Sequence, residues 1–383
     1  MTLKTSERCE TRRRHQKSKN GCLVCKKRRV KCDESRPRCR NCAKGERDCR
    51  YLEPKGIELS SFQSEEAGSG SVVLPPDNLK APDGAHFSTI HMVLLHHAET
   101  NMAQIMAIQG DMRPVLDTAI NSAFTAPYLL DQLLALSALH FSSLDPRTAS
   151  LYHSQATELQ TRALGAYNRV NENITESNCV PAFLFATFLG FHVLQDTLAN
   201  AGHAYSKFVS GFVSYARLHR GVRAVTSSSW TSIIRSDLKP LMYTTEWIEG
   251  SKSLARGPET GAARRMLECS SDAESPCVKA CLSALDWIQR LLDIMAQAPS
   301  RFDLGVHLTM AWPLLVPDEY LQCLYQHRPE ALVVVAYYLA ILQRLRKFWV
   351  FGDAGSVFIP LISEHSGPFW ADALSWPLRV LDE

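Results

Sequence analysis

Apolar positions along much of the chain recur at helical spacing. Tyr152, Ala156, Leu159, Ala163, Tyr167 and Val170 follow one another at steps of 4, 3, 4, 4 and 3. That spacing puts them on one stripe of an amphipathic α-helix. Asp145-Pro146 upstream reads as a cap followed by a first-turn proline. Phe87, Ile90, Leu94, Ala98, Met102 and Ile105 trace a second stripe. Pro329 opens a third helix, whose last turns carry Arg344, Arg346 and Lys347, the charge sign favoured at that end. Its apolar run Ala331–Leu342 has twelve residues, short of the ~20 a bilayer span requires, and no membrane association is expected. Sustained strand alternation is absent from the sequence. Residues 85–383, enough for a large core, therefore read as one all-α domain.

Two stretches interrupt this pattern. Residues 53–84 hold 13 Gly, Pro or Ser out of 32, with Pro75-Pro76 and the run GSGS, and predict a flexible linker. Residues 250–277 are polar and Gly/Ser-rich and predict a mobile loop within the helical domain.

Ahead of the linker the helical pattern gives way to cysteine. Cys22, Cys25 and Cys32 are matched seventeen residues later by Cys39, Cys42 and Cys49, so C-x2-C-x6-C occurs twice. Thiolate-rich sites in reduced compartments bind zinc, which takes four tetrahedral ligands. Six sulfurs serve two zincs only if two of them bridge. The repeat nominates the first cysteine of each half. One zinc would take Cys22, Cys25, Cys32 and Cys39, the other Cys39, Cys42, Cys49 and Cys22. A segment of about thirty residues buries too little surface to fold unaided, so metal binding would supply its folding free energy. A disulfide framework is the competing reading and needs a secretory context. Residues 1–21 are polar and basic, and no signal peptide is expected there. Iron–sulfur ligand runs are spaced differently.

Charge separates the two halves. KKRRVK between Cys25 and Cys32 is basic at five of six positions, whereas AKGERD between Cys42 and Cys49 is balanced. Residues 1–55 carry 19 Lys+Arg against 7 Asp+Glu, a net of +12; the remainder carries 23 against 32, a net of −9. A basic arm on an acidic body is an electrostatic footprint for nucleic acid. RRRHQKSK (Arg12–Lys19) would also serve nuclear import.

SKNGCLVCKKRRVKCDESRPRCRNCAKGERDCRY (Ser18–Tyr51) resembles the fungal binuclear zinc cluster DNA-binding domain, including Pro37 two residues before the fourth cysteine. The resemblance implies a basic N-terminal arm over 1–17, the cluster domain over 18–52 with two Zn²⁺ per chain, and a nuclear protein. It also implies a short helix after the second cysteine, entering the major groove of double-stranded DNA at CGG-containing promoter sites. The family's base-contacting positions fall on Arg28 and Arg29. Arginine's fork suits guanine O6 and N7, while Lys26, Lys27 and Lys31 are placed for phosphates. One family feature is missing: no apolar heptad runs through YLEPKGIELSSFQSEEAGSG, so no dimerising coiled coil follows the cluster.

MVLLHHAETNMAQI (Met92–Ile105), LLALSALHFSSL (Leu133–Leu144), RGVRAV (Arg220–Val225) and RPEALVVVAYYLAILQRL (Arg328–Leu345) are similar to fungal regulators of the sterol uptake control type. That likeness implies a helical regulatory domain that responds to an apolar small molecule. The family also includes regulators of secondary-metabolite gene clusters. The sequence holds no phosphate-binding glycine loop, HExxH, nucleophile elbow or dinucleotide fingerprint, so an enzyme is not expected. His96 and His97 point about 100° apart on a helix and read as ordinary histidines. Cys269, Cys277 and Cys281 read as reduced bystander thiols, with a third metal site on Cys277 and Cys281 as the alternative. The seven tryptophans read as core. The closing WADALSWPLRVLDE reads as a packed terminal helix, with coactivator contact as the alternative. The expectation is a sequence-specific regulator of RNA polymerase II transcription, partnered by the transcription machinery and by homodimerisation through the helical domain. A sterol- or metabolite-sensing regulator is the alternative.

Overall fold

A computed structural model describes residues 22–50 apart from 29, 36, 37 and 46, and residues 88–383 apart from 171–174, 237, 239, 240, 242, 252, 253, 271 and 272. Of residues 170, 222–228 and 230 only the backbone is described. The basic arm, the linker, Arg29, Pro37 and Phe87 thus lie outside the described residues. The chain divides into two compact units, 1–75 and 76–383.

Among its described residues the first unit holds two short helices, α1 (Leu23–Lys27) and α2 (Arg40–Lys44). The second is built of helices and the turns between them, with no strand among its described residues. Its first five helices are α3 (Thr89–Ile105), α4 (Arg113–Asn121), α5 (Pro127–Leu144), α6 (Ala149–Val170) and α7 (Cys179–Asn200). Next come α8 (Tyr205–Arg235), α9 (Tyr243–Gly250), α10 (Gly261–Glu268), α11 (Pro276–Gln297) and α12 (Phe302–Leu315). The chain ends with α13 (Asp318–Tyr325), α14 (Pro329–Arg344), α15 (Ala354–Ser366) and α16 (Ser375–Arg379).

The stripe on α6 buries Ala156, Leu159 and Ala163, with Tyr152 and Tyr167 partly covered. Asp145 does not cap this helix directly. Its carboxylate accepts from the Arg147 amide and so shapes a turn over 146–148 from which the helix continues. An ion pair from Arg162 to the buried Asp131, with an Nε–Oδ2 distance of 2.7 Å, ties α6 to α5. The second stripe buries Leu94, Ala98, Met102 and Ile105 of α3. His97 lies on its buried side with Nε2 2.8 Å from His140 Nδ1 on α5, whereas His96 is exposed. Burial lowers the pKa of His140, and the nearby His97 adds to this, bringing it to about 4. His219 on α8 is lowered to about 4 by burial as well.

α14 is the central helix: every residue from Ala331 to Leu342 is fully buried. A helix apolar all round belongs inside a core. It ends at Arg344, so Arg346 and Lys347 lie beyond its last turn. α15 packs close to it because Gly355 has no side chain. A Cβ there would lie 2.5 Å from Gln343 Cβ and 2.9 Å from the Leu339 carbonyl oxygen. α7 is long and apolar enough to cross a membrane by length and composition alone. Most of it is instead buried in the core, against α5 and α8. The closing residues also pack inward, with Trp370 and Trp376 buried and Trp376 stacked on Tyr337 at 5.3 Å between ring centroids.

Two expectations change. The stretch 250–277 is not simply a loop, because it contains α10, with Ala263 and Leu267 buried. Polar groups on α11 hold the segment. Gln289 Oε1 accepts from the Thr260 amide (3.0 Å) and hydroxyl (2.7 Å), Asp293 accepts from the Gly257 amide, and Asp286 pairs with Arg256 and Arg264. The thiols differ too. Cys277 is joined to Cys323 of α13, with Cα atoms 6.0 Å apart, so it is neither a bystander nor half of a metal pair with Cys281. Burial pushes the Cys281 thiol up to about 12.

Candidate metal centre and nucleic-acid interface

The two halves of the cysteine segment repeat in three dimensions. Cys22 caps α1 and Cys39 caps α2, each accepting at Sγ from the amide three residues on, at 3.4 Å in both cases. The Cys22 amide points at Cys32 Sγ (3.5 Å) and the Cys39 amide at Cys49 Sγ (3.3 Å). Lys26 and Ala43 close the matching helical bonds onto the Cys22 and Cys39 carbonyls. Val30 and Arg47 then close the loops onto Cys25 and Cys42. Every one of these pairs is seventeen residues apart, the period of the sequence repeat.

The sulfurs gather into two tetrads, Cys22/Cys25/Cys32/Cys39 and Cys22/Cys39/Cys42/Cys49, each with all ligand atoms within 4.8 Å. Cys22 and Cys39 belong to both, as the repeat predicts. Tetrahedral zinc with bonds of about 2.3 Å holds its sulfurs about 3.8 Å apart. The spacings are 3.7 Å for Cys22–Cys39 and 3.6 Å for both Cys22–Cys42 and Cys25–Cys39. The donor set therefore fits two zinc ions. The cysteine ligands other than Cys49 are buried. Burial pushes the Cys25 thiol up to about 12. At Cys22 burial is outweighed by donation from the Cys25 amide and from neighbouring thiols, which brings it down to about 6. A packed set of this kind ionises fully only against cations.

α1 begins directly after Cys22 and contains Cys25, whereas the resemblance placed a helix after the second cysteine. Sulfur capping by Cys22 explains the earlier start. Lys26 and Lys27 form its last turn and Arg28 its C-cap; these three and Lys31 are exposed. Arg29 falls outside the described residues.

Sequence reasoning missed the residues that brace this basic face. Asn41 on α2 donates to the Lys31 carbonyl at 2.7 Å. Asp33 accepts from the Arg40 amide (3.0 Å) and the Ser35 hydroxyl (2.6 Å). Ser35, chiefly, holds the Asp33 carboxyl below its ordinary range. Arg38 donates twice to the Arg47 carbonyl, and Leu23 donates to Arg50. The charge-balanced half thus fixes the backbone of the basic half. The available signal was the position of Asn41, which interrupts the repeat where the first half has Val24.

Comparison with known proteins agrees with this geometry. Residues 20–56 match the fungal Zn(2)-Cys(6) binuclear cluster domain, and residues 93–196 the fungal specific transcription factor domain. A Zn(2)-C6 fungal-type transcription factor of Gibberella zeae is 23% identical over 429 aligned positions, covering 96% of this chain and 86% of that protein. The Zn(2)-C6 fungal-type transcription factor afumD of Aspergillus fumigatus is 27% identical over 326 positions, 83% of each chain. Sterol uptake control protein 2 of Candida albicans is 68% identical, but over 41 residues, 11% of this chain and 6% of that protein. Its likeness falls on the N-terminal region, and coverage of the helical unit comes from the first two relatives.

Proposed function

With a binuclear zinc cluster domain and a fungal transcription factor domain in one chain, we propose a sequence-specific nuclear regulator that reads CGG-type triplets through Arg28 and Arg29. The observation that carries this is the set of exposed cations at the C-terminal end of α1, seated on a sulfur cage that fits two zincs. Arg28 and Arg29 bond guanine edges in the major groove, and Lys26, Lys27 and Lys31 bond phosphates. Zinc holds the cage that aims them. The helical unit regulates RNA polymerase II transcription of a metabolic or secondary-metabolite gene cluster, contacts the transcription machinery and supplies any dimer contact. The test is a gel shift of the full-length protein on CGG-containing and scrambled duplexes, with and without a chelator. Binding that survives complete zinc removal, or that ignores the triplet, overturns the reading.

A second reading is that the helical unit senses a sterol or other apolar metabolite. A cleft of about 320 Å³ between the end of α7 and the start of α15 favours it, lined by Leu198, Trp349, Phe351, Val357 and Phe358. Gln195 Oε1 is buried at this cleft without a hydrogen-bond partner. A rise in Tm of the full-length protein with sterols or pathway metabolites supports it, and no shift across them counts against it.

A further inference from the structure

We propose that Cys277 and Cys323 form an oxidant-written, reversible clasp, a modification site separate from the zinc cluster. The two cysteines are 46 residues apart in sequence, yet their Cα atoms lie 6.0 Å apart, inside the window that a disulfide bridges without backbone movement. The six cluster cysteines bind metal only as reduced thiolates, so the chain works where thiols are kept reduced. A bond between Cys277 and Cys323 in that setting is made by an oxidant and later undone, unlike a permanent staple.

The two partners differ in access. Cys277 is half-buried in the first turn of the 22-residue α11, after the Ser275 cap and Pro276. Its sulfur sits in the positive field of a helix N-terminus, a setting that favours thiol reactivity. Cys323 is 7% exposed and stands ready as the resolving thiol. Cys281, one turn further along α11, is fully buried and takes no part.

The oxidant is a hydroperoxide. The Cys277 sulfur attacks its terminal oxygen, an S–O bond forms as the O–O bond breaks, and the products are Cys277 sulfenic acid and an alcohol, or water from hydrogen peroxide. The Cys323 sulfur then attacks the Cys277 sulfur. The S–O bond breaks, and the hydroxyl leaves as water with the Cys323 proton. Two thiols have lost two electrons, which the peroxide has gained. A reducing thiol system reverses the bond by exchange.

The clasp joins the start of α11 to the end of α13 and encloses α12 between them. The end of α12, the residue after it and α13 are held to α8, since Arg220 donates to the Pro313 and Val316 carbonyls and pairs with Asp318, and Arg217 donates to Gln322. Closing the clasp therefore ties α8, α11 and α13 into one restrained group.

The test uses zinc-loaded full-length protein, equilibrated with reduced glutathione, then treated with hydrogen peroxide and digested without reductant. The expected product is a Cys277–Cys323 cross-linked peptide, about 2 Da lighter than the two reduced peptides together. It is at least about tenfold more abundant after oxidation than before, and dithiothreitol abolishes it. In Cys323→Ser, dimedone traps the sulfenic acid on Cys277. Full alkylation of both thiols after peroxide overturns the proposal. A cross-link already complete in glutathione also overturns it, since that would be a constitutive staple. Cys277→Ser, whose folding is checked by circular dichroism, must lose the cross-link without gaining one from Cys323 to Cys281.

Discussion

Cys22 and Cys39 stand with their sulfurs 3.7 Å apart, and each is a member of both ligand tetrads. The other four cysteines belong to one tetrad each. The six ligands are therefore not equivalent. Losing a bridging sulfur removes a ligand from both metals at once.

Metal content should follow that division. Wild-type protein should carry about two zincs per chain. Cys49→Ser should retain about one, and Cys22→Ser or Cys39→Ser close to none. Elemental analysis of the purified variants reads this directly. Equal losses from bridging and single-site variants would show that the sulfurs are not shared as the tetrads imply.

The exposed cations should separate into two kinds by their salt and sequence dependence. Lys27→Gln should weaken binding to all duplexes and reduce the salt slope by about 0.9. Arg28→Ala should cost about 1–3 kcal/mol at the triplet and flatten the preference between CGG and its variants. Fluorescence anisotropy over a range of salt concentrations distinguishes them. A uniform loss from Arg28→Ala would remove its base-reading role.

Gly355→Ala should destabilise the helical unit. The new methyl meets Gln343 Cβ at 2.5 Å and the Leu339 carbonyl at 2.9 Å, and a core-helix backbone has little freedom to retreat. Overpacking of this kind costs about 1–3 kcal/mol. Thermal melts of the variant beside wild type check it, and an unchanged Tm would mean that α15 slides along α14.

Stability should fall in mild acid. Burial brings both His140 and His219 down to about 4 in the folded state, against an ordinary value near 6.5. The unfolded chain then binds more protons than the folded one between those values. The contribution is complete above about pH 6.5 and is lost as pH falls toward about 4. Melts at stepped pH measure it, and replacing His219 with Gln should flatten part of the decline.

The grouping of the six sulfurs was readable from spacing, because tetrahedral coordination leaves few assignments and a seventeen-residue repeat selects one that matches the two tetrads. Helices with a one-sided stripe, such as α3 and α6, were readable for the same kind of reason. What escaped depends on distant partners. α10 has a short, polar sequence and is held by Gln289, Asp293 and Asp286 from α11, which no local pattern announces. Cys277 meets Cys323 across a sequence separation of 46, with α12 between them in the chain. The start of α1 depended on a sulfur acting as a cap, a role that side-chain oxygens usually fill.

The matching N–H···S contacts of the two halves have a consequence for how such a domain changes over generations. The atoms that fix the cage are backbone amides and cysteine sulfurs, common to both halves. The exposed cations that face outward from α1 contribute no ligand to it. Arg28, exposed at the C-cap of α1 and outside both tetrads, is thus free to change under selection while the scaffold stays fixed. On the proposed reading, duplicated genes part ways in target choice without passing through an unfolded intermediate.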